Sequence, residues 1–363
     1  MSSFIHHKIH NHIGIITLDR PQALNSLSLD MVRTLTVILQ KWRIDEAVHA
    51  VLIHSDNPKA FCAGGDIRFF YDAGIAGLAG NSPQIEDFFT EEYALNHLIH
   101  FYPKPYIAIL NGVVMGGGMG IAQAGVATRL RIVTERTKMA MPEVNIGLFP
   151  DVGGSYFLSR TPGAIGSYLG LSGQIIQAAD ALYAGLADVF IPSTELPALF
   201  QLLEQASTPD CRLLIRDFAS QFADQIQPDN CALASNRTAI DLHFQHQHIH
   251  QIMASLAAEN TDFTEKTRAL MLQRSPLLMA VTLAQLQRGR TLSVAECLRM
   301  ERTMVRHCFQ HGDVIEGVRA LVVDKDNAPK WSPATIAEVT PAMVEGFFDE
   351  VWPDYVHPLR HLS

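Results

Sequence analysis

Glu143 and Asp151 are the residues of this chain best suited by type and setting to carry chemistry. They stand in Ala140-Met141-Pro142-Glu143-Val144-Asn145-Ile146-Gly147-Leu148-Phe149-Pro150-Asp151-Val152-Gly153-Gly154, a stretch that is otherwise largely apolar. Carboxylates among apolar neighbours are costly unless they are paired or used. Pro150 cannot continue a helix, and Gly147, Gly153 and Gly154 allow tight bends. A segment folded back in this way can aim both carboxyls into one cleft, where different surroundings divide acid and base roles between them. A plainer reading stands beside this one. Asp151 can cap a helix that begins at Val152, and Glu143 can be a surface turn residue.

Two glycine turns are the next candidates, Ala63-Gly64-Gly65-Asp66 and Gly116-Gly117-Gly118. Each falls between a strand-like and a helix-like run. Backbone N–H groups at a helix start are unpaired and lie at the positive end of the helix dipole. Two of them aimed at one point make an oxyanion hole. The same glycines also suit close packing, and Gly116 and Gly120 have a G-x-x-x-G spacing. The chain has no dinucleotide-binding G-x-G-x-x-G, Walker loop, G-x-S-x-G elbow or H-E-x-x-H. His243, His246 and His250 have helical spacing and could share a face that holds a metal. No cysteine or acid pattern completes that ligand set, so a solvated histidine-rich face is the better reading. Cys62 reads as a small buried residue rather than a nucleophile.

The elements around these residues alternate. Ile13 to Leu18 reads as a strand, and Ser28 as the N-cap of a helix from about Leu29 to Trp42. Ala50 to His54, Tyr106 to Leu110 and Leu130 to Val133 read as further strands. Ile85 to His100 has helical periodicity, after a small-residue, Gly-rich stretch at 73–83 that reads as a loop. Strand, glycine turn and helix in repetition predict an α/β core with parallel pairing. Beyond about 200 the chain is helical, with amphipathic runs near 210–224, 235–257, 263–272, 276–287 and 293–310. The expected division is a core over residues 1–200 and a helical domain over 201–363, with its boundary in the region of Pro192 to Pro209.

Composition bounds the function. The 363 residues are 48% hydrophobic and 18% charged, which describes a folded chain with a large core. A net charge of −9 argues against a general nucleic-acid binder. The five cysteines form no C-x-x-C pair, which suits a reducing compartment. With no apolar run of membrane-spanning length and no signal-like N-terminus, the expectation is a cytoplasmic protein without a membrane partner, with a processed organellar protein as the alternative.

Phe61-Cys62-Ala63-Gly64-Gly65-Asp66, Met115-Gly116-Gly117-Gly118 and Met141-Pro142-Glu143 resemble the enoyl-CoA hydratase/isomerase (crotonase) superfamily. Further stretches resemble its 3-hydroxyisobutyryl-CoA hydrolase branch. They are Glu91-Glu92-Tyr93, Gly147-Leu148-Phe149-Pro150-Asp151-Val152-Gly153-Gly154, Gly317-Val318-Arg319-Ala320 and Asp324-Lys325-Asp326-Asn327-Ala328-Pro329-Lys330-Trp331. The resemblance covers nearly the whole chain. It implies a spiral of stacked β-β-α units followed by a helical C-terminal region, and an acyl-CoA thioester substrate, as in valine degradation. It also implies that Gly65 and Gly117 form the oxyanion hole, that Glu143 and Asp151 are the catalytic acids, and that Glu92 contacts substrate. Cofactors and metals are not implied, since CoA is part of the substrate. Self-association is an expectation because the family commonly oligomerises. Hydratases of the superfamily typically carry a catalytic glutamate three residues after the oxyanion glycine, where this chain has Gly120. Hydration is therefore disfavoured, while an isomerase of the same superfamily or a non-catalytic acyl-CoA binder remain the alternatives.

Overall fold

The computed structural model describes residues 2–77, 82–205 and 210–363. Residues 78–81 of the expected Gly-rich loop, and 206–209 of the expected boundary region, lie outside them, while 73–76 of that loop belong instead to the helix Ile67–Ala76. Nine strands are described: β1 (Ile5–His10), β2 (Ile13–Leu18), β3 (Ala50–Ser55), β4 (Ala60–Cys62), β5 (Tyr106–Leu110), β6 (Val113–Met115), β7 (Arg129–Val133), β8 (Lys138–Ala140) and β9 (Val189–Phe190). They form a six-stranded sheet in the order β1-β2-β3-β5-β7-β9 and a three-stranded sheet in the order β4-β6-β8. The first members of the pairs β3/β4, β5/β6 and β7/β8 enter the larger sheet and the second members the smaller one. Each repeat of the chain thus advances the spiral by one strand in each sheet. Pairing is parallel throughout except between β1 and β2, which form an antiparallel hairpin.

Contacts gather the chain into two compact units. One is Met1–Gly65, Leu95–Ala140 and Ile175–Ser235, and it contains both sheets. The other is Asp66–Ala94, Met141–Gln174 and Asn236–Ser363, and it is built from helices and turns. The units are interleaved along the chain, whereas the sequence reading divides it once at about 200.

In the first unit β5 is the apolar run Tyr-Ile-Ala-Ile-Leu, buried at every position. A strand covered on both faces has no need of polar alternation. Leu52, Ile107, Ile109, Leu130 and Ile132 pack with Leu199, Leu203 and Ile215 from the helices Leu196–Glu204 and Cys211–Ser220. Ser28 caps the helix Leu29–Ile44 as expected, its side chain accepting from the Met31 N–H. Arg131 of β7 is fully buried. Its guanidinium donates to both oxygens of Asp188, to Gln123 Oε1 and to the Gly185 carbonyl. Burial alone raises the Asp188 pKa, but the hydrogen bonds and charge of Arg131 outweigh it and hold the carboxyl below its usual range.

Three expectations change. β1 carries Ile-His-His-Lys-Ile-His, and the sequence reading missed it because its side chains are exposed on both faces. The apolar helix expected after Gly118 is only Gly117–Gly120. The run expected over 235–257 breaks into Arg237–Phe244 and Ile249–Ala257, so His243 and His250 do not share a helix. His243 is buried and hydrogen-bonded through Nδ1 to Ser255 Oγ at 2.8 Å, which corrects the solvated histidine face.

Removing the Asp188 carboxylate strands a buried guanidinium, so Asp188→Ala should cost about 3–5 kcal/mol of stability in urea denaturation. The double variant Arg131→Met with Asp188→Leu removes both charges and should lose clearly less.

Candidate active site

β8 leads through Met141-Pro142 into a 3-10 turn, Glu143–Ile146, closed by Gly147 in the left-handed conformation at φ 69°. Leu148 N–H then donates to the Glu143 carbonyl at 3.0 Å, which folds the segment back. A second turn follows at Asp151, whose carbonyl accepts from Gly154 N–H at 2.7 Å. Val152 and Gly153 are both left-handed there, at φ 52° and 88°. For a β-branched residue this conformation costs about 1–3 kcal/mol and persists only when neighbours enforce it. The helix Gly154–Leu158 begins beyond the turn with Gly153 as its N-cap. Asp151 therefore caps no helix, which corrects the plainer reading. Its Oδ2 instead accepts a hydrogen bond from Tyr93 OH at 2.7 Å. Glu143 is not a surface turn residue either, being only 7% exposed, with Asp151 at 4% and Glu92 at 2%.

A fourth carboxyl joins this group. Glu301, fully buried on the helix Val294–His311, accepts from Gly153 N–H at 2.8 Å, Ser155 N–H at 2.9 Å and Ser155 Oγ–H at 2.6 Å. Gln285, fully buried on the helix Pro276–Gly289, donates Nε2–H to the Pro150 carbonyl at 2.6 Å and to Ser155 Oγ at 2.8 Å. Burial pushes Glu92 and Glu143 well above the ordinary carboxyl range, and the charge on Asp151 pushes each further. Burial raises Asp151 to about 6, against the Tyr93 hydrogen bond, which favours its charged form. Burial raises Glu301 to about 8, against its three donors. Asp151 thus ionises before its neighbours, and its charge helps to keep Glu143 protonated.

Sequence reading named Glu92, Glu143 and Asp151, and the second unit brings all three into one electrostatic cluster. It quoted Tyr93 without assigning it a role, and it missed Glu301 and Gln285. The signal for Glu301 was present as a carboxyl among Cys297, Leu298, Met304, Val305 and Cys308, the apolar face of its helix.

The glycine turns belong to the first unit. Leu27 N–H donates to the Gly64 carbonyl at 2.7 Å, and Leu27 forms a parallel bridge with Gly65. Gly117 opens its short helix, so its N–H has no intrahelical carbonyl within reach. A Cβ on Gly118 would stand 2.3 Å from the Cys62 carbonyl oxygen, and one on Gly64 would stand 3.7 Å from the Gly117 nitrogen. The two turns therefore pass each other at backbone distance, which only glycine permits at 118.

A family model described as enoyl-CoA hydratase/isomerase matches residues 13–348. The mitochondrial 3-hydroxyisobutyryl-CoA hydrolase of Xenopus tropicalis is 39% identical over 339 residues, 92% of this chain and 86% of that protein. Its Homo sapiens counterpart is 36% identical over 331 residues, 90% of this chain and 83% of that one. Among solved structures, a carnitinyl-CoA dehydratase from Mycobacterium thermoresistibile superposes with a TM-score of 0.85 at 36% identity, covering 97% of this chain and 98% of its own. An enoyl-CoA hydratase from Rhodobacter sphaeroides 2.4.1 superposes at 0.83 and 35% identity, covering 96% and 98%. The crotonase-like spiral is thereby established. The expected cytoplasmic location is corrected, because these hydrolase relatives are named as mitochondrial.

The folded state raises the Asp151 pKa from 3.8 to about 6, so it holds the proton more tightly than the unfolded chain does. Stability from this group is full below about pH 4 and is lost as pH rises toward 6. Asp151→Asn should therefore stabilise the protein at pH 7.5 by about 2–3 kcal/mol, at roughly 1.4 kcal/mol per tenfold change in proton affinity. The gain should vanish near pH 4 when denaturation is followed at both pH values.

Proposed function

The chain belongs to the enoyl-CoA hydratase/isomerase family, and from that premise we propose that it hydrolyses the thioester of 3-hydroxyisobutyryl-CoA to the free hydroxy acid and CoA. One observation carries the choice of reaction within the family. Gly120 has no side chain where hydratases typically hold a glutamate, while Glu143 and Asp151 share one buried cluster in which the Asp151 charge raises the Glu143 pKa. The names and coverage of the hydrolase relatives support the same reading.

In the proposed mechanism the Gly65 and Gly117 N–H groups bind the thioester oxygen as negative charge develops on it. Such a donor is typically worth about 3 kcal/mol. Glu143 acts as a carboxylate, either attacking the carbonyl carbon to form an anhydride, which water then opens to the hydroxy acid and free Glu143, or taking a proton from the attacking water. Its own raised pKa requires a place for its proton. Asp151, the first of the cluster to ionise, takes that proton as Glu143 becomes charged, a transfer against their relative proton affinities that also removes the Asp151 charge holding the proton on Glu143. CoA leaves as a thiolate, whose ordinary pKa of about 8.5 makes it a good leaving group. A metal or cofactor has no step to perform in this scheme. Glu92, kept protonated by burial, offers a hydrogen bond to the acyl hydroxyl, and a site built to pair a hydroxyl rejects esters that lack one.

A second reading, hydration of an enoyl-CoA or the reverse dehydration, is favoured by the names of the two solved structures at 35–36% identity, a carnitinyl-CoA dehydratase and an enoyl-CoA hydratase. Thiol release from 3-hydroxyisobutyryl-CoA, assayed beside hydration of crotonyl-CoA, separates the two. Fast release without hydration is the expected result, and hydration without release would overturn the proposal. Substrate binding with neither reaction would instead leave a non-catalytic acyl-CoA binder.

Glu143→Gln keeps the shape and removes the charge. It should lower kcat at least about 100-fold with little change in ester affinity, and near-normal turnover would remove Glu143 from its assigned role. In kcat/KM the acid limb should fall near pH 6, where Asp151 titrates, rather than near pH 4. Tyr93→Phe removes the hydrogen bond that favours the Asp151 carboxylate, so the limb should move to higher pH.

A further inference from the structure

The Asp151 turn is held from both sides of its strained residue by two helices. Val152, buried and left-handed at φ 52°, is bracketed by the Pro150 carbonyl before it and the Gly153 N–H after it. Gln285 donates to the first and Glu301 accepts from the second. Ser155 ties the two together, donating to Glu301 Oε1 while accepting from Gln285 Nε2. Helix Pro276–Gly289 comes close enough for this only because residue 289 is glycine, since a Cβ there would lie 2.1 Å from the Ser155 carbonyl oxygen. Both oxygens of Glu301 are used as acceptors, by three donors at 2.6–2.9 Å. A glutamine in its place has one acceptor oxygen, and its NH2 would face a donor that it cannot pair, a difference from glutamate that is full above about pH 8, where Glu301 is ionised and where the variants are compared.

We propose that Glu301 and Gln285 are positioning residues, a clamp that forces Val152 into the left-handed conformation and so fixes the Asp151 carboxyl where Tyr93 OH donates to it. Without the clamp Val152 relaxes to an ordinary β-branched conformation and swings the adjacent Asp151 out of register. The role assigned here rests on the reading of Asp151 as a catalytic acid. It makes a demand that simple packing does not, because the clamp is needed only while residue 152 resists φ > 0. Glycine adopts that conformation without steric cost.

The test compares Glu301→Gln, Val152→Gly and their combination in the thioester assay, with Asp151→Asn alongside and folding checked by circular dichroism and melting. Glu301→Gln should lose at least about 30-fold in kcat with KM changed less than about threefold. Adding Val152→Gly should restore kcat at least about tenfold, although it removes buried side-chain volume. If Glu301→Gln fails to fold, Gln285→Met replaces it in the same comparison, with the same expected loss and rescue. A folded clamp variant with kcat within threefold of wild type, or a folded double variant with no rescue, overturns the clamp. An active Asp151→Asn overturns the catalytic reading on which the clamp rests. An inactive Asp151→Asn beside a fully active Glu301→Gln removes the clamp alone.

Discussion

The burial of several carboxyls together, away from water, is the constraint on which the rest of the helical unit depends. For Glu92, Glu143 and Asp151, burial is the largest influence on proton affinity, and the charges that act on Glu92 and Glu143 are those of other carboxyls. Desolvation of a single ion costs several kcal/mol, and a group without an opposite charge responds by keeping its proton. Among the described residues, no arginine or lysine forms an ion pair with Glu92, Glu143, Asp151 or Glu301 to relieve this. The protein grades the relief through hydrogen bonds instead. Asp151 receives the Tyr93 hydroxyl and Glu301 three donors, while Glu143 Oε2 and Glu92 Oε1 have no hydrogen-bond partner among the described residues. Proton affinity is therefore distributed unequally among groups of nearly identical chemistry. Unequal affinity is the condition for assigning an acid and a base within one set of carboxyls.

The sheet-bearing unit solves a different problem, that of bringing backbone amides close to one another. Side chains keep chain segments apart, so close approach requires residues without them. The Cys62 carbonyl and the Gly116–Gly118 turn come together on that principle, and the parallel pairs β4/β6, with a register shift between Ala60 and Cys62, and β6/β8 lead into the turns. Arg131 shows that this unit can also bury charge, but it does so by full pairing with Asp188. The two units treat buried ionisable groups in opposite ways. In one the charge is neutralised by a partner, and in the other it is held back as a proton.

Much of this was legible before any coordinates. The strands Ile13–Leu18, Ala50–Ser55 and Tyr106–Leu110 announced themselves as short apolar runs, and Ser28 as a cap, because those signals are local. Glu143 and Asp151 were conspicuous as acids in apolar company, and the bends at Gly147 and Gly153 were readable from residue type. Local signals stop where partners are distant in sequence. Nothing near Asp151 reveals that Tyr93 donates to it, or that Glu301 holds the turn beside it. The left-handed Val152 was invisible for the same reason, since a valine ordinarily argues against that conformation. β1 was missed because its alternation carries no apolar face, and the histidine run beyond 240 was misread because its helix breaks before His248.

The larger sheet ends on one side at β9, two residues long, and on the other at β1, which exposes His6, His7, Lys8 and His10. The free margin of a sheet is a row of unpaired amides and carbonyls that invites a strand from another chain. Here one margin is too short to accept such a strand. The other presents a lysine and imidazoles, side chains that are poor company for an incoming apolar strand. The histidine-rich opening strand contributes little to the core that it borders. Its place at the margin answers that constraint: a largely parallel, apolar sheet ends on a strand whose lysine and imidazoles offer an incoming apolar strand no matching face.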